Sequence, residues 1–67
     1  MSIHDYRQSI AIDQLDYSFD ALIMAAARKA DTANYRHLVD VFPAQVIELQ
    51  KRYDAPGGRL DTDPEAR

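Results

Sequence analysis

No proline occurs before Pro43 and no glycine before Gly57. Nearly two-thirds of the chain therefore lacks the two residues that most strongly punctuate a backbone. Any turns in that stretch must be made by short polar caps. Alanine, leucine, glutamine and arginine are frequent, and strict alternation of apolar and polar residues is not sustained. The chain reads as all-α, a bundle of three or four short helices.

Ser2, followed three residues later by Asp5, has the spacing of a capping box. It predicts a first helix from about Ile3 to Leu15. Ile3, Tyr6 and Ile10 share one face of it. Ile12 and Leu15 lie off that face and start a second stripe through Phe19, Leu22, Ile23, Ala26 and Ala30. Either one long helix carries two stripes, or the chain breaks at Asp16–Ser18. Asp16 or Ser18 as N-cap, with Asp20 in the next first turn, favours the break.

The second helix is expected from Phe19 to Lys29, with Arg28 and Lys29 at its negative end. Its inward face is expected to be Phe19, Leu22, Ile23 and Ala26, with Met24, Ala21 and Ala25 turned away. Asp31 or Thr32 can cap a third helix, whose stripe is Tyr35, Leu38, Val39 and Phe42. Pro43 should stop that helix and suits the first position of a fourth, to about Asp54. The fourth should bury Val46, Leu49 and Tyr53, and pair Glu48 with Arg52. "APGG" ends it. Residues 1–58 are expected to form one helical domain, and the polar segment 59–67 a disordered tail.

A 67-residue chain buries little surface and needs support. With no cysteine, disulfides and thiolate metal sites are excluded. Oligomerisation or very regular helix packing remains. The seven apolar residues Ala21–Ala27 fall far short of the roughly 20 that span a bilayer. The N-terminus lacks the layout of a signal peptide, so a cytoplasmic setting is expected.

The charge of −3 does not favour direct nucleic-acid binding. It is also uneven. Residues 1–25 hold Asp5, Asp13, Asp16 and Asp20 against Arg7, whereas residues 26–37 hold Arg28, Lys29 and Arg36 against Asp31. Asp13, Asp16 and Asp20 would form an acidic stripe on a continuous helix; capping and solvation explain them as well. His37 and Asp40 have the spacing of a base and its orienting acid, but no nucleophile motif accompanies them. His4, Asp5 and His37 match no metal-ligand spacing. The expectation is therefore no catalytic residue, no cofactor and no metal.

Between Ala21 and Gly58 the chain carries "ALIMAA", then Arg28, Ala30 and Asp31, then Phe42–Pro43, Glu48–Gln50, Arg52–Tyr53 and "APGG". In that order these segments resemble short, largely uncharacterised proteins of bacteriophages and mobile elements. The resemblance covers slightly more than half the chain and implies a phage setting, with no chemistry attached. Together with the small size and uneven charge, that setting suggests a non-catalytic protein that binds another protein of host or phage, such as an inhibitor of a host defence complex of the anti-CRISPR kind. Expected contact residues are Ile3, Tyr6, Ile10, Asp13, Asp16, Asp20 and Met24. Two alternatives stand beside it: a small helix-turn-helix DNA-binding regulator, and a self-associating structural protein, with a homodimer among the expected partnerships.

Overall fold

A computed structural model describes residues 1–64. Among them are four α-helices and no strand: α1 (Ile3–Gln14), α2 (Phe19–Lys29), α3 (Thr32–Val41) and α4 (Pro43–Asp54). A 3-10 turn at Pro56–Gly58 follows α4. Each of the first three helices starts on a side-chain cap. The Asp5 amide donates to Ser2 Oγ at 3.2 Å, and the Ser2 amide donates to Asp5 Oδ2 at 3.1 Å, closing the capping box. Ser18 accepts from the Ala21 amide at 3.1 Å, and Asp31 from the Asn34 amide at 2.9 Å.

The chain breaks between α1 and α2. Leu15 caps α1, and Asp16 turns through the left-handed region at φ 58°. Short polar residues tolerate that conformation better than most. No such loop separates α3 from α4. Phe42 ends one and begins the other, at φ −127° and ψ 56°, because Pro43 disfavours helical geometry before it.

The core lies where α2, α3 and α4 meet. Ala27, Val46 and Leu49 are buried, with Met24, Tyr35 and Leu38 packed around them. The inward face of α2 therefore differs from the expected one. It is centred on Ala27 and includes Met24, about a quarter turn from the Phe19–Ala26 stripe. Two neighbours fix this rotation. α2 packs against both α3 and α4, and a small residue at Ala27 lets α4 approach closely. Phe19 stays exposed, although its ring meets that of Phe42 edge-on at 5.5 Å. Tyr53, expected in the core, is 74% exposed one turn beyond Leu49, where it borders an open groove instead of the packed centre.

Residues 59–64 have no regular helix or strand, and they fold back on α4. Arg52 donates to Asp63 through both terminal nitrogens at 2.7 Å, to the Gly58 carbonyl at 2.8 Å, and through Nε to Glu48 at 3.0 Å. Gly57 and Gly58, at φ 62° and 70°, make the reversal that brings Asp63 to Arg52. The sequence predicts the Glu48–Arg52 pair and not the longer-range one. The expected tail also includes 65–67, which lie outside the described residues.

Candidate protein-binding surface

Helix α1 touches no other helix among the described residues. Every residue from Met1 to Ala21 is exposed. Tyr6 is 60% and Ile10 42% exposed, on the same side as Ile3, and Ile12 and Leu15 are open on the other side. A helix in a monomeric bundle normally hides one such stripe; this one hides neither.

The consequence is visible in the whole molecule. A compact monomer of 7.6 kDa is expected to expose about 4,300 Å². This chain exposes 5872 Å², an excess of about 1,600 Å². Its radius of gyration is 14.0 Å, against about 11 Å for a compact chain of this length. The principal extents are 42 × 29 × 18 Å.

Of the expected contact residues, Ile3, Tyr6 and Ile10 form one exposed apolar face of α1. The acids do not join them in a stripe. Asp13 lies in the last turn of α1, Asp16 in the left-handed corner, and Asp20 in the first turn of α2, where it accepts from Gln45 Nε2 at 3.0 Å. The break at Asp16 destroys the periodicity that would have aligned them. Met24 does not belong to this surface, because it packs against the core.

Two further features escaped the sequence pattern. A shallow groove between α2 and α3 is lined by Ala26, Ala30 and Leu38, with Lys29, Asn34 and His37 beside them. A second, more polar groove holds Arg28, whose guanidinium lies 5.9 Å from the Tyr53 ring centre, and Tyr35, whose hydroxyl accepts from Gln50 Nε2. Helical spacing could have paired Ala26 with Ala30, but only the packing of α3 makes them a groove wall.

No group of three His, Asp or Glu side chains stands close enough to hold a metal ion among the described residues. His4 is on the free helix and His37 is on α3. No described helix is long and apolar enough to cross a membrane. Comparison with family models, curated proteins and solved structures finds no match to this chain.

Proposed function

We propose that the protein acts without catalysis, by binding another protein through α1 and the α1–α2 corner. One observation carries this reading: α1 is a capped, three-turn helix whose apolar residues Ile3, Tyr6 and Ile10 are exposed and meet no other helix among the described residues. Exposed aromatic and aliphatic side chains on a regular element are what interface anchors are made of. Asp13 and Asp16 flank that face and suit a partner carrying positive charge.

The phage-like sequence pattern gives this reading a biological form, an inhibitor that occupies the basic groove of a host nucleic-acid-binding defence complex. The DNA-binding alternative draws less support. Arg28, one of its three clustered cations, lies over Tyr53.

The test is capture from host lysate by the native chain and by a Tyr6→Asp, Ile10→Asp variant. Loss of the captured proteins, with the circular dichroism of α2–α4 retained, is the expected result. Equal capture by both chains would rule out α1 as the binding element.

A further inference from the structure

The occupant of α1 can be narrowed. We infer that it is a second copy of this chain: α1 of each copy docks in the α2–α3 groove of the other, reciprocally. This rests on the reading of α1 as a binding surface and names what covers it in the free protein; a host target would compete with the second copy for the same face.

The first argument is area. A stable interface removes about 800 Å² from each partner. The chain exposes about 1,600 Å² more than a compact monomer, a surplus that α1 shares with the exposed segment after α4, and half of it would supply such an interface. Pairing α1 only with α1 of another copy would use one face of a helix about 18 Å long, too little on its own. Reciprocal docking uses two contacts, each a helix against a groove.

The second argument is folding. Three buried residues make a very small core for a chain without disulfides. An isolated helix of this length is marginal in water. Cover would stabilise α1, and a second copy is present wherever the first is made.

The third is charge. The groove is lined by one cation, Lys29, beside the polar Asn34 and His37. The end of α1 carries Asp13, followed by Asp16. Two copies can place unlike charges together. Within one chain the corner prevents it: the Leu15 cap, the left-handed Asp16 and the Ser18 cap direct α1 away from its own groove.

The experiment is sedimentation velocity from micromolar to millimolar concentration, with circular dichroism on every variant. The native chain should dimerise, and more weakly as salt is raised. Ile10→Asp damages α1, and Ala26→Asp damages the groove. Both positions are exposed, so the monomer fold should survive either change. Each variant alone should be monomeric at concentrations where the native chain is dimeric. Mixed together they should form a heterodimer, through the intact α1 of one and the intact groove of the other.

A native chain that stays monomeric throughout overturns the second-copy inference and leaves lysate capture by α1 untouched. A dimer indifferent to Ala26→Asp overturns the groove as the seat. A dimer indifferent to Ile10→Asp overturns α1 as the seam, and lysate capture then decides the broader reading separately.

Discussion

Replacing Ser2 by alanine removes the hydroxyl that caps α1 and opens the reciprocal bond from Asp5. Loss of such a cap costs about 1 kcal/mol, a factor of about five in the local helix–coil equilibrium. In most proteins tertiary packing would absorb that. Here α1 contacts no other helix among the described residues, so no helix packing resists the change. An uncovered helix of this length is marginal in water, so a shift of about fivefold removes most of the helix that is formed. α1 holds about a quarter of the α-helical residues, so far-UV ellipticity should fall visibly at low micromolar concentration. Residue-resolved amide exchange locates the loss. Protection should drop from Tyr6 to Gln14 and stay unchanged at Val46 and Leu49. Equal loss of protection in α4 would refute the reasoning, because it would mean that α1 is energetically part of the bundle.

Two other outcomes follow from the packing. Leu49→Ala removes one of three buried side chains and should cost about 2–5 kcal/mol, comparable to the entire stability of so small a core; thermal melts should show no cooperative transition. Asp63→Ala should free residues 59–64, seen as faster exchange of the Leu60 amide, which donates to Asp63 at 3.0 Å. The hydrogen bonds from Arg52 hold the Asp63 carboxyl well below the usual carboxylate range. Because that group is depressed in the folded state, its contribution is complete above the unfolded carboxylate value of about 4 and declines as pH falls below it. Leu60 protection should follow that curve in the native chain and be flat with pH in the variant.

The local signals were legible in the residues themselves. Ser2 with Asp5, Ser18, Asp31 and Pro43 mark helix starts through hydrogen bonds or ring geometry that reach at most three residues along the chain. Such bonds do not depend on what else the chain does, and the four helices fall where these residues put them. The Glu48–Arg52 pair is local in the same sense.

What depends on distant partners was not legible. Helical periodicity gives the faces of α2, and packing against two neighbours decides that Ala27 and Met24 turn inward. Tyr53 has the spacing of a core residue, but it stays exposed beside the Arg28 guanidinium. Arg52 finds Asp63 only because two left-handed glycines reverse the chain between them. For the candidate site, composition and spacing could nominate Ile3, Tyr6 and Ile10, but no pattern could say whether the chain itself would cover them. The tertiary structure decides that at the corner. Asp16 in the left-handed region, between two fixed caps, points α1 away from the three helices it might have joined. Sequence determined that α1 is a helix with apolar faces, and the geometry of one turn determined that no other described helix covers them.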